Sequence, residues 1–128
     1  FQAVARTNFK TWYMVHFSKQ YRLEQALSRN AGQASRLTDT FRFDWDEVCV
    51  FTPYTSDEEA SRVLGIPWKL SAESSIGSYD SFNAVAFFKN KRSVDFFHLS
   101  RARFEFSEKS SRCYARAEAV VPLIAVSR

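Results

Sequence analysis

The sequence predicts an α+β fold, an antiparallel β-sheet meander with helices packed on one face, in a single domain over residues 1–128. Three observations predict it. Strand-like runs with period-two alternation crowd the second half of the chain, separated by short polar turns. Ahead of them, Ser56 to Gly65 carries a full set of helix start and stop signals. The chain of 128 residues, 45% hydrophobic and 25% charged, is globular in composition and long enough to bury a core.

The elements follow in order. Thr11 to Phe17 is rich in aromatic and β-branched residues and fits a strand or the first turns of a helix. Lys19 to Arg29 reads as helix: Tyr21 and Leu23 to Leu27 recur at helical spacing, with Ser18 as N-cap. The polar stretch Ser28 to Arg36, around Gly32, ends it. Thr40 to Thr52 reads as one long strand. Phe41, Phe43 and Trp45 alternate with Arg42, Asp44 and Asp46; both faces then turn apolar from Val48 to Phe51, as in a strand entering the middle of a sheet. Pro53 stops it.

Ser56 and Glu59 have capping-box spacing, and Asp57, Glu58 and Glu59 set negative charge against the helix dipole. Ala60, Val63 and Leu64 supply a buried stripe, Gly65 suits the left-handed C′ position and Pro67 prevents resumption. Leu70 to Ser81 is a serine-rich loop. Phe82 to Phe88 and Ser93 to Ser100 form a hairpin through Lys89-Asn90-Lys91-Arg92. Arg101 to Phe106 alternates strictly, and Arg112 to Val121 alternates again after a turn at Ser107 to Ser111, so these two are expected to pair.

Several function classes are disfavoured. Only 3 glycines and 3 prolines are present, which argues against a glycine-rich phosphate loop. A net charge of +4 with dispersed basic residues does not make the concentrated patch of a nucleic-acid binder. No apolar run approaches the ~20 residues of a membrane span; the longest, Ala119 to Val126, is broken by Pro122. The chain begins at Phe1, which predicts a removed upstream piece, such as a secretion or lipoprotein leader.

The chemistry-bearing residues are few. Cys49 and Cys113 are two buried thiols or one disulfide; the disulfide would require an oxidising compartment. Two cysteines are too few for the common four-ligand structural zinc site. His16 and His98 sit in apolar runs, and neither cysteine lies at a helix N-terminus where its thiolate would be stabilised. Asp44 and Asp46 share a strand face and could act as an acid pair, which makes a small hydrolase the enzyme alternative. Arg101 and Arg103 share one face, as do Arg112 and Arg116 on the next strand, interrupted by Glu105 and Glu118. That face suits an acidic protein surface, or cross-strand ion pairs alone. Tyr79-Asp80 in the serine-rich loop suits a binding tip. The expected partner-binding residues are therefore Ser75, Ser78, Tyr79, Asp80, Arg101 and Arg103, with no catalytic residue, metal ligand or cofactor expected.

The junction before the helix reads Phe43-Asp44-Trp45-Asp46-Glu47-Val48, then Phe51, Pro53-Tyr54-Thr55, Glu58-Glu59 and Leu64-Gly65-Ile66. It resembles small bacterial proteins, many with secretion or lipoprotein leaders, that share F-D-W-D-x-V, F-x-P-Y-T, an acidic helix and L-G. Asn83 to Asn90 looks like that group's second strand and lysine-bearing turn. The resemblance covers roughly Phe41 to Phe106. It implies the periplasm or cell envelope, attachment to a membrane only through a lost lipid anchor, and a protein partner. It also suggests immunity lipoproteins that protect a bacterium against a toxin or effector delivered by a secretion system. Asn90-Lys91 departs from the expected glycine-containing turn, and Cys49 stands where an aromatic residue is common. A second likeness, through Leu64, Gly65, Ile66 and Pro67, is to small outer-membrane assembly lipoprotein domains and to the β-lactamase-inhibitor type of domain. The function expected from the sequence is a non-enzymatic binding protein that occludes a partner's active site.

Overall fold

A computed structural model describes residues 18–29, 35–37, 44–74, 80–118 and 120–126. Helix α1 spans residues 18–29. It is followed by β1 (Ser35–Arg36), β2 (Glu47–Phe51), α2 (Asp57–Leu64), β3 (Phe82–Lys89), β4 (Arg92–Ser100), β5 (Phe104–Phe106), β6 (Arg112–Ala115), β7 (Val120–Val121) and β8 (Leu123–Ala125). The main sheet has the order β4-β3-β2-β6 and is antiparallel throughout. Two small antiparallel pairs, β1-β7 and β5-β8, accompany it among the described residues. The fold is α+β with an antiparallel meander, as the sequence predicts.

The helices are where the structure departs from that expectation: they lie on opposite faces of the sheet. Side chains of a strand alternate between faces. Val48 and Val50 of β2, Val85 and Phe87 of β3 and Phe97 and Leu99 of β4 meet Leu23 and Leu27 of α1 in one buried cluster. Cys49 and Phe51, with Ala84, Ala86 and Phe88, meet Ala60 and Leu64 of α2 in the other. The continuous apolar runs of β2 and β3 are the cause, because a strand buried on both sides needs a cover on each.

Helix α2 is built as its sequence dictates. The Ser56 hydroxyl accepts from the Glu59 amide at 3.0 Å, and Gly65 adopts φ 90° at the C-terminal end. The Asp57 carboxylate, at the positive end of the helix, accepts from the Ser71 amide at 2.7 Å and the Ser71 hydroxyl at 2.6 Å. Those two bonds hold its pKa below the ordinary carboxylate value, against a smaller opposing contribution from desolvation. The folded state therefore favours deprotonated Asp57. Its stabilisation is full above the ordinary carboxylate range and is lost as pH falls through the lowered value. In a carboxyl NMR titration, Asp57 is expected to titrate below a model aspartate, and Ser71→Ala should return it toward the ordinary value. An unshifted wild-type midpoint would contradict this.

The β3-β4 hairpin turns on Asn90 and Lys91, with φ values of 50° and 65°. Two positive φ angles make the turn that matches strand twist, normally with glycine. Here Lys91 is held instead by its ammonium, which donates to the Leu64 carbonyl at the end of α2 and to Glu47 at 3.0 Å. The hairpin tip is thus tied to the helix it faces.

Three expected strands come out shorter. β2 starts at Glu47, because the chain bends at 44–46 to drive Trp45 into the core, 1% exposed. The Arg116 guanidinium donates to the Trp45 carbonyl at 3.0 Å. Residues 40–43 of that expected strand, and the Thr11 to Phe17 segment, lie outside the described residues. Residues 101–103 form a turn, closed by the Arg103 amide on the Ser100 carbonyl at 3.1 Å, so β5 begins at Phe104 and pairs with β8. The Arg112 strand ends at Ala115 and pairs with β2, not with β5; a short 3-10 turn, Arg116–Glu118, follows it. The expected loop after Leu70 opens with one 3-10 turn, Leu70–Ala72. Ser18 is itself helical, the first described residue of α1, rather than its cap.

The open question about the cysteines resolves as a disulfide. Cys49 and Cys113 are direct cross-strand neighbours on β2 and β6, with Cα atoms 3.9 Å apart. The reading as two inert thiols is thereby corrected.

Candidate functional site

The site is built at the end of the sheet where β2 runs out. Thr52, Pro53 and Tyr54 turn the chain toward α2. The Thr55 hydroxyl donates to the Thr52 carbonyl at 2.6 Å. The Ser111 hydroxyl, just before β6, accepts from the Thr52 amide at 2.9 Å and lies 2.7 Å from the Thr55 hydroxyl. The Thr55 proton is committed to the carbonyl, so Ser111 is the donor in that last contact. Thr55 is 3% exposed and Ser111 4%, which makes this a sealed, satisfied network.

The network holds a strained residue. Tyr54 sits at φ 65°, a left-handed conformation that a bulky side chain rarely adopts, and its ring is 61% exposed. Such backbones cost on the order of 1–3 kcal/mol and persist where the surroundings over-determine them. Ser111→Ala should therefore destabilise the fold by ~1–3 kcal/mol, since it removes the partner of the half-buried Thr52 amide and of the buried Thr55 hydroxyl. Urea unfolding reads the loss, and faster amide exchange at Thr52 locates it. Unchanged exchange there would mean that Ser111 does not hold the turn.

That turn, the start of β3, the turn after β4, β5 and residues 108–109 together line a groove of about 820 Å³. Asn83 reaches it from β3, although the residue is only 3% exposed. Asp80, Glu105 and Glu108 bring carboxylates, and Arg101 and Lys109 bring cations. Arg101 donates to the Asp80 carbonyl at 2.8 Å and through its own amide to the Ser81 carbonyl at 2.9 Å, which fixes it across the groove's end. An opening of this size is within the range of ligand sites, and its mixed charged rim suits a polar partner.

Of the residues singled out from sequence, Asp80 and Arg101 come together here. Arg103 does not: it lies outside the groove, paired with Glu24 at 3.0 Å and stacked 5.2 Å over the Phe104 ring. Ser75, Ser78 and Tyr79 lie outside the described residues. The expected arginine face is dispersed. Arg112 pairs with Glu108 at 3.6 Å, and Arg116 covers the Trp45 ring at 4.7 Å. These arginines serve packing and local ion pairs.

The other candidates are engaged elsewhere. Asp44 is exposed and pairs with Lys89 at 3.2 Å, while Asp46 accepts from the Asn90 amide at 3.0 Å; neither lines the groove. His98 shares a 2.7 Å hydrogen bond with Ser74, and His16 lies outside the described residues. Glu47, Cys49 and Cys113 bring their ligand atoms within 4.8 Å of one another, but both sulfurs are spent in the disulfide and Glu47 is held by Lys91.

Sequence reasoning missed Tyr54, Asn83, Ser111 and Glu105 as site residues. Signals existed for two of them. Thr52-Pro53-Tyr54-Thr55 has turn chemistry on both sides of an aromatic residue, and Asn83 is a lone amide in an otherwise apolar strand. No family model, no curated protein and no solved structure matches this chain.

Proposed function

We propose that this chain is a non-enzymatic binding protein of the cell envelope that occludes the active cleft of a partner protein, such as a toxin. The observation that carries the reading is Tyr54: an exposed ring on a positive-φ turn, held by a buried hydroxyl network at the edge of a charged groove. Rigid aromatic tips lose little conformational freedom on binding, and tyrosine is enriched among the residues that dominate interface energies. The Cys49–Cys113 disulfide supports an oxidising compartment, the periplasm or cell surface. The groove's alternating charges support a protein partner over a nucleic acid, because the carboxylates of Asp80, Glu105 and Glu108 oppose phosphate.

The test is calorimetry with the protein encoded beside this one. A one-to-one complex at micromolar concentrations or tighter is expected. Tyr54→Ala should weaken it by ~2 kcal/mol, the scale of an interface anchor, and leave the unfolding transition in place, since alanine keeps the Cβ and the same left-handed φ. No heat of binding at micromolar concentrations, or a Tyr54→Ala variant that binds like the parent, would contradict the reading.

A further inference from the structure

We infer that the Cys49–Cys113 bridge is also a latent metal site: once it is reduced, the two thiolates and the Glu47 carboxylate hold a zinc ion, which ties β6 to β2 in place of the disulfide.

The placement follows from strand register. Glu47 and Cys49 stand two residues apart on β2, so they share one face of the sheet, and Cys113 of β6 lies directly across from Cys49. That face is the one covered by α2: Cys49 lies in its buried cluster and Cys113 packs against it. A carboxylate oxygen and the two sulfurs lie within 4.8 Å of one another. Ligand atoms around one tetrahedral zinc stand ~3.5–3.8 Å apart, from bonds of about 2.3 Å to sulfur and about 2.0–2.2 Å to oxygen. The sulfurs therefore have to separate, and the bond that prevents it is the one reduction breaks. Strand β6 is at the sheet's edge, and Cys113 and Glu47 are half-buried, so the fourth position is open to water.

The donor set selects the ion. Thiolates do not suit magnesium or calcium, which take oxygen ligands. Copper(I) is held by soft thiolates and gains little from a carboxylate, whereas zinc takes sulfur and carboxylate alike. Two thiolates and a carboxylate exceed the charge of a zinc ion by one. The Lys91 ammonium, 3.0 Å from the Glu47 carboxylate and anchored on the Leu64 carbonyl, compensates that excess and orients the carboxylate from outside. The chemistry balances. A dithiol reductant passes two electrons and two protons to the bridge, the Cys49–Cys113 bond breaks into two thiols, and the reductant closes to its own disulfide. Zinc then displaces both thiol protons to solvent as two zinc–sulfur bonds form.

The test titrates zinc, and cobalt(II) as its coloured substitute, into the intact chain, either oxidised or reduced with a dithiol that is then removed without air. The reduced chain is expected to take one zinc with micromolar affinity or tighter, and the oxidised chain none. Cobalt(II) should show tetrahedral visible bands with sulfur-to-metal charge transfer. Zinc affinity should rise about a hundredfold from about pH 6 to about pH 7, because two thiol protons leave. Zinc should also raise the melting temperature of the reduced chain, or refold it, and restore amide-exchange protection at Thr52, whose partner Ser111 stands two residues before Cys113. Glu47→Gln should weaken zinc about tenfold or more and leave copper(I) binding unchanged. No zinc bound at micromolar concentrations, equal binding by the oxidised chain, a one-proton pH dependence, or full zinc affinity in Glu47→Gln would overturn the site. So would zinc binding with no gain of protection at Thr52, which is how the thiols of an unfolded chain would behave.

Discussion

Opening the Cys49–Cys113 bond, by reduction or by Cys113→Ala with Cys49→Ala, is expected to lower the unfolding free energy by about 4 kcal/mol. The bond joins positions 64 residues apart, so it removes a large loop from the conformations open to the unfolded chain. It also fastens β6, an edge strand of four residues, to the centre of the sheet. The effect should reach the candidate site, because Ser111 stands two residues before Cys113 and holds the Thr52–Tyr54 turn. Urea unfolding with and without a dithiol reductant reads the energy, and amide exchange at Thr52 reads the loosened turn. A change below ~1 kcal/mol would mean that β6 holds its place without the covalent tie.

Trp45→Ala should cost a further ~3–5 kcal/mol, the usual range for truncating a buried tryptophan. Trp45 packs edge-on against Phe87 with ring centroids 5.0 Å apart, and the Arg116 guanidinium lies 4.7 Å over its ring. Truncation leaves a cavity beneath α1 and strips Arg116 of its aromatic face, though not of the Trp45 carbonyl. Trp45→Phe should lose less than half as much, since it keeps an aromatic ring in the gap. The denaturation midpoints of the two variants check this, and equal losses would assign the effect to the indole's shape alone.

The fold class was legible because its signals are local. The α2 caps, the hairpin and the doubly apolar runs of β2 and β3 each follow from short stretches of sequence. What stayed hidden depends on contacts far apart in the chain. Trp45 looked like one more alternating strand residue, but Arg116, far along the sequence, captures its carbonyl and its ring, and β2 begins only after it. Arg101 and Arg103 alternated as in a strand, yet a tight turn on Ser100 separates them, one facing the groove and the other α1. Apolar runs announced burial on both faces of β2 without saying that the helices divide between those faces.

The site was half legible for the same reason. Asp80 and Arg101 were named from the loop and from charge, but the groove that joins them is assembled from segments far apart in the chain, from Thr52 to Val126. Tyr54 acquires its importance from Ser111, and no spacing rule links a turn to a serine that far downstream. Lys91 shows the same principle at the hairpin: a residue poorly suited to its φ angle is held by partners on α2 and β2.

Mapping the contact surface tests the central claim most directly. An isotope-labelled sample of the chain is titrated with the protein encoded beside it, and the perturbed amides are placed on the structure. The account predicts that they concentrate at Tyr54, Asp80, Asn83, Arg101 and Glu105, around the groove. Perturbations centred instead on the outer face of α1, at Tyr21 and Arg22, or no perturbation at all, would contradict it.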